Sequence, residues 1–385
     1  MANRRPLPKL VVVQARTGLV ASKEGPYEAA ALPRGRASVT SHRAIAGDGR
    51  AVARTTRPSV YTWSVVRALL MASLLMSCSD GALVPQEPWS CITMPERRLE
   101  TGVGALGTRL VLAGGISASM VEGLPITPSV LTYDTLLGEW GELPELPVAW
   151  THANIAAVGG IVFVLGGLDG QAFVADGRSF MLEANATEWI EIDPQPVGEE
   201  RGASAVVVSP GHIFLFGGAS TFDVVGSNLD FDLISRTWSK LPPVDLPIAR
   251  SHAAAMRRFD GMFVVAGGLG GLTGPQPLQD VWVLPQDATI WQTRTPMPTA
   301  RGGCAYGELY SNLICAGGEA GIEALDVVEL YNVAIDTWET LEPVPSRRAG
   351  ARGAVVANRL YVPGGSASFA FEPTDTMFEF VLTAR

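Results

Sequence analysis

From residue 89 onward the chain writes one hydrophobic and polar order six times. A run of small residues is followed by a polar turn. A β-branched run then ends in a glycine pair, an aromatic-bearing alternating run follows, and a tryptophan opens a proline-rich connector. The glycine-ended runs are LVLAGG at Gly114-Gly115, FVLGG at Gly166-Gly167, LFGG at Gly217-Gly218, VVAGG at Gly267-Gly268, ICAGG at Gly317-Gly318 and VPGG at Gly364-Gly365. Successive pairs stand 52, 51, 50, 50 and 47 residues apart, which is the signature of an array of one supersecondary unit. Short apolar runs bounded by glycine and proline predict strands, four per repeat. We letter them A (small residues, as in HANIAAV and HAAAM), B (glycine pair), C (VLTYD, RSFMLEA, LDFDLIS, DVWVL, DVVELYN, DTMFEFVL) and D (tryptophan). The D tryptophans are Trp89, Trp140, Trp189, Trp238, Trp291 and Trp338.

A glycine pair, an aromatic strand and then a tryptophan at this period resemble the kelch repeat over residues 89–385. The resemblance implies an all-β, six-bladed β-propeller with one four-stranded blade per repeat. The chain opens on a lone D strand at Trp89 and ends on A, B and C at roughly 351–357, 359–365 and 375–382. The N-terminal outer strand is therefore expected to complete the last blade and close the ring, which hides the edges a linear array would expose. Pro363 has no N–H to donate to a ladder, so a bulge or a missing bond is expected there. Strands alternate in direction, so D-to-A connectors and B-to-C loops should share one face, with A-to-B and C-to-D turns on the other. The longer B-to-C loops, at 116–129 and 269–278, mark the first face as the one to carry function.

Charge divides the chain. Residues 1–77 carry 12 Lys/Arg against 3 Asp/Glu, and the rest carries 17 against 35, a balance of −18. So acidic a body lacks the basic footprint that nucleic acid requires. Residues 1–59 have no sustained periodicity and read as disordered, or as an upstream extension from a mis-assigned start. Residues 60–77 read as a secretory signal, with Arg67 ahead of an apolar run. Leu75-Met76-Ser77-Cys78 resembles the bacterial lipobox, which implies a mature chain beginning at a lipidated Cys78. A membrane-spanning anchor over about 59–76 is the alternative, at a cost of roughly 2.5–3.5 kcal/mol for Arg67 near its middle. Residues 78–88 form a short tether, and an outer-membrane or periplasmic location follows from the lipoprotein reading.

The candidate site is a column 16 or 17 residues before each glycine pair: Arg98, Trp150, Arg201, Arg250, Arg301 and Arg348. Guanidinium groups ringed at a channel mouth can clamp a carboxylate or phosphate. They can equally pair with acids at the start of strand C, such as Asp280, Asp326 and Asp375. His152 and His252 occupy equivalent places two residues past the column and read, with His212, as structural. No cofactor or metal set is expected, and no phosphate-cradling glycine loop occurs. Cys304 and Cys315 fall on strands A and B of one blade, facing each other if the hairpin centres between Leu309 and Tyr310. A disulfide there is chemically permitted in an exported protein, and Cys91 is expected to stay free. The reading is an exported, lipid-anchored, monomeric interaction module for an envelope protein or carbohydrate. A sugar-acid enzyme of the sialic-acid mutarotase type and a structural envelope component are the alternatives.

Overall fold

In the computed structural model the described residues are 88–240, 244–271, 275–368 and 371–382. Residues 1–59, the signal segment 60–77, Cys78 and nearly all of the tether lie outside them. Six antiparallel blades follow one another, five of them four-stranded and the second carrying a short fifth strand, Trp150–Thr151. In blade 1 strands A to D are Gly102–Leu106, Arg109–Ala113, Val130–Asp134 and Glu139–Leu143. Blade 6 takes its first three strands, Ala354–Val356, Arg359–Pro363 and Thr374–Val381, from the C-terminal end, and its outer strand, Trp89–Arg98, from the N-terminal side. Trp89 pairs with Phe380 and Thr93 with Thr376, so the ring closes as the incomplete first and last repeats require.

Hydrogen bonds in three concentric rings join the blades. At the rim, each D-strand tryptophan donates its indole N–H to the backbone at the outer edge of the preceding blade. Trp140 donates to Thr93 O, Trp189 to Pro144 O, Trp238 to Asp193 O, Trp291 to Val244 O, Trp338 to Thr295 O and Trp89 to Glu342 O, at 2.9 to 3.2 Å. A tryptophan suits this place because its ring fills the inter-blade core while its one donor satisfies a carbonyl. Trp89, for example, is buried against Phe378 and Phe380.

Midway in, the second glycine of each pair donates its N–H to the column carbonyl of the next blade: Gly115 to Trp150, Gly218 to Arg250, Gly268 to Arg301, Gly318 to Arg348 and Gly365 to Arg98, at 2.7 to 2.9 Å. In blade 2 the side chains of Asn154 and Gln195 reach Arg201 O instead. These bonds explain the pair. The first glycine has φ between +60° and +77° at all six sites, and a Cβ there would lie 2.2 to 2.9 Å from the next column carbonyl. No other residue meets both conditions without strain.

Around the axis runs the third ring, formed by the residues two past the column. Glu100, His152, Ala203, His252, Gly303 and Gly350 all have positive φ, from 52° to 62°. Glu100 N donates to Gly350 O, and the chain of bonds continues through His152, Ala203 and His252 to Gly303, each at 2.8 to 3.0 Å. Behind it the A strands enclose a channel of about 370 Å³, lined by residues such as Ala156, Val207, Met256 and Val355. Small residues occur there because the strands crowd the axis. A Cβ on Gly307 would stand 2.6 Å from a Val355 methyl.

Pro363 produces no bulge: register runs unbroken from Arg359 opposite Val381 to Pro363 opposite Met377. Strand A of that blade reaches only Ala354, opposite Tyr361, so no ladder on that side asks Pro363 for a donor. Register shifts fall at two glycine pairs, between Leu165 and Gly167 and between Phe216 and Gly218, and in the outer strand of blade 6 between Thr93 and Arg98.

Candidate functional site

Bridges between the residue after the column and the residue after the glycine pair put the D-to-A connectors and B-to-C loops together. Leu99 bridges Ile116, Gly202 bridges Ala219, Ser251 bridges Leu269, Gly302 bridges Glu319 and Ala349 bridges Ser366. Several B-to-C connections are hairpin extensions. Leu269–Gly270 pairs with Gln276–Pro277, and Glu319–Ala320 pairs with Glu323–Ala324. The face they build carries exposed apolar tips on three blades: Val121 is 97% exposed, Phe222 89% and Ile322 77%.

The column lies beneath this face, inside the blade interfaces. Arg98, Arg201, Arg250, Arg301, Arg348 and Trp150 are all buried. Arg98 Nη2 meets Glu96 at 2.5 Å, and Arg201 pairs with Glu199, so these two use an acid two residues upstream on their own connector. Arg301 pairs with Glu329 on strand C and donates to Cys315 O. Arg250 donates to Gly267 O at 2.6 Å, stands 3.6 Å from Asp280 and lies over the Trp282 ring at 3.9 Å. Burial pulls its pKa down to about 10 despite Asp280. Arg348 lies over Phe378 and donates to Ser346 Oγ. Trp150 replaces the arginine in blade 2 by donating Nε1 to Asp176, which Arg178 holds from outside. The column carbonyls and guanidinium groups thus serve blade-to-blade attachment, and of the expected acids Asp280 is one that a column arginine meets.

Above the axial ring, sequence reasoning passed over a cluster. Glu100 Oε2 lies 3.2 Å from His152 Nε2 and 3.8 Å from His252 Nε2. The two imidazoles meet edge to face at 5.1 Å, and Phe173 of a B-to-C loop covers His152. Burial, then the Arg352 charge, drives the His152 pKa down to about 3. Burial also brings His252 to about 3, against the opposing pull of Glu100. Both rings are therefore neutral near pH 7. Glu319 on the blade 5 ribbon is raised to about 8 by burial and then by the Glu100 charge. The signal for Glu100 was present in the spacing. It stands 14 residues before Gly114, as His152 does before Gly166, but its different residue type hid the equivalence.

Cys304 and Cys315 form a disulfide with a Cα separation of 5.6 Å. The hairpin register differs from the expected one. Cys315 faces Tyr306 and the turn is Tyr310-Ser311, so the bond runs diagonally on one face of the ladder. Cys91, expected to be free, is disulfide-bonded, with its partner outside the described residues.

Closed six-bladed architecture with these three rings defines a kelch-type propeller, and residues 151–365 match the KLHDC2/KLHL20/DRC7 Kelch-repeats domain family. The chain belongs to the kelch-repeat family. It is similar to Kelch-like protein terF of Aspergillus terreus, 29% identical over 283 residues that make up 68% of this chain and 61% of that protein. It is also similar to Kelch-like protein 40 of Xenopus laevis, 24% identical over 205 residues covering 52% of this chain and 32% of the relative. Kelch-like protein 33 of Homo sapiens is 29% identical over 136 residues, 34% of this chain and 25% of that protein. The matches thus span less than two thirds of these relatives.

Proposed function

We propose that this kelch propeller is an exported, lipid-anchored module that docks an envelope protein on the face of its D-to-A and B-to-C loops. Kelch-repeat propellers are typically protein-interaction modules. The observation that carries the docking face is the set of exposed apolar tips, Val121, Phe222 and Ile322, standing on the B-to-C loops. Aromatic and aliphatic anchors on a polar surface mark protein interfaces. The arginine column is proposed as the frame of this face, since its guanidinium groups are committed to the blades.

Export is supported by the Cys304–Cys315 bond and by the bonded state of Cys91, which suit an oxidising compartment. Orientation follows from where the chain enters. Pro88 O accepts from Val381 N, so the outer strand of blade 6 starts on the face of the C-to-D turns. That face also exposes Leu136, Leu137, Ile234, Ile290 and Ile335. With an acylated Cys78 ten residues before Pro88, those turns would rest against the membrane and the docking face would point away.

Charge substitution tests the docking face. Phe222→Asp combined with Ile322→Asp should cut recovery of the partner from detergent extracts at least tenfold, while Leu136→Asp leaves it unchanged. Equal recovery with all three substitutions overturns the reading.

A further inference from the structure

Glu100, His152 and His252 form a site of a kind the docking function does not need. The three come from blades 1, 2 and 4 and are brought together by the axial ring, where each has a left-handed backbone. One ligand atom from each lies within 4.8 Å of the others. Ligands about 2.0–2.2 Å from a tetrahedral zinc ion stand roughly 3.3–3.5 Å apart, so the spacings of 3.2 and 3.8 Å from Glu100 to the imidazoles bracket that value.

Two features favour a cation over an ordinary buried hydrogen-bond cluster. First, each histidine is oriented through its other nitrogen by the hydroxyl of the preceding residue. Thr151 Oγ1 meets His152 Nδ1, and Ser251 Oγ lies 2.8 Å from His252 Nδ1. The hydroxyl can accept a proton carried on Nδ1, and in that tautomer the Nε2 lone pair is free. Second, Glu100 is buried and its Oε2, aimed at both Nε2 atoms, receives no hydrogen bond. With the protons on Nδ1, a carboxylate oxygen facing two imidazole lone pairs is repulsive unless something positive lies between them.

We propose that Glu100, His152 and His252 bind a divalent transition-metal ion of the zinc class at the axis of the docking face. Two nitrogens and one carboxylate oxygen make a three-ligand set that leaves a fourth position for water. Glu100 and His252 line a cavity of about 10 Å³ beside this set. Arg352 lines the same cavity, and its charge opposes a cation. Glu319 lines the adjoining cavity with Glu100 and brings a second carboxyl group to the site. Such an ion would tie blades 1, 2 and 4 together across the axis.

The test uses untagged full-length protein, stripped with chelator and titrated with zinc by calorimetry and with cobalt by absorption. The proposal expects one ion per chain, the intense visible bands of tetrahedral cobalt, and a melting temperature that rises with zinc. Glu100→Gln, nearly isosteric, should weaken zinc binding at least tenfold and abolish the cobalt bands while leaving the metal-free melting temperature within a few degrees. His252→Ala should do the same. Absence of stoichiometric binding overturns the proposal, as does binding that Glu100→Gln leaves intact. Neither result bears on the docking face, whose test reads partner recovery.

Discussion

Replacing Gly364 by alanine separates two reasons for a glycine. Gly364 has φ +64°, and its Cβ would lie 2.2 Å from Arg98 O and 3.0 Å from Arg98 C. Gly107, in an A-to-B turn, has nearly the same φ of +61° but nothing within 4 Å of its Cβ. Forcing alanine into left-handed backbone costs about 1–2 kcal/mol at either site. At Gly364 the Arg98 carbonyl must also move, which breaks its 2.8 Å bond from Gly365 N and strands a buried donor and acceptor, a further ~1–3 kcal/mol. Gly107→Ala should thus lose about 1–2 kcal/mol and Gly364→Ala about 2–5 kcal/mol. Urea unfolding followed by tryptophan fluorescence reads both as shifts in midpoint. Equal losses would refute the claim that close approach to the next blade, and not backbone conformation alone, fixes the glycine pair.

Other perturbations follow the same frame. Trp89→Ala removes a buried indole and the donor to Glu342 O, and should cost ~3–5 kcal/mol and expose the N-terminal strand to protease before any other blade opens. Changing both Cys304 and Cys315 to alanine opens a link across 11 residues and should cost about 3 kcal/mol on the chain-entropy account, read by calorimetry. Glu319 keeps its proton in the fold to about pH 8. Its contribution is therefore complete below its ordinary pKa and is lost as pH rises through 8, at up to ~1.4 kcal/mol per pH unit. In Glu319→Gln the decline between about pH 4.5 and 8 should vanish. His152 and His252 act in the opposite direction. Their pKa values of about 3 make stability complete above pH 6.5 and lost as pH falls toward 3, which an acid melt of His252→Gln would show as a shallower slope.

Much of the architecture was legible in the sequence because each repeat repeats its causes. A glycine pair is forced by a close approach and a tryptophan by an inter-blade carbonyl, so both recur at fixed spacing. Closure by Trp89–Arg98 followed from counting strands. The column was legible as a column, with Asp280 among its acids, but Glu96, Glu199 and Glu329 were not, because an arginine's acid is free to sit on its own connector, as Glu96 and Glu199 do, or along strand C, as Glu329 does. The Cys304–Cys315 pairing survived an error of register because diagonal neighbours share a face of the ladder. The Glu100 cluster was hidden because its members come from three repeats and differ in type, and only the axial ring brings them together.

The central claim, that the B-to-C loop tips are the protein-docking surface, is tested most directly by photo-crosslinking in the native membrane. A photo-reactive residue would be placed in turn at positions 121, 222 and 322 on that face and at 136, 234 and 335 on the opposite one. The account predicts one discrete protein adduct shared by the first three positions and absent from the others. Protein adducts of equal yield from both faces, or from positions 136, 234 and 335 alone, would contradict it.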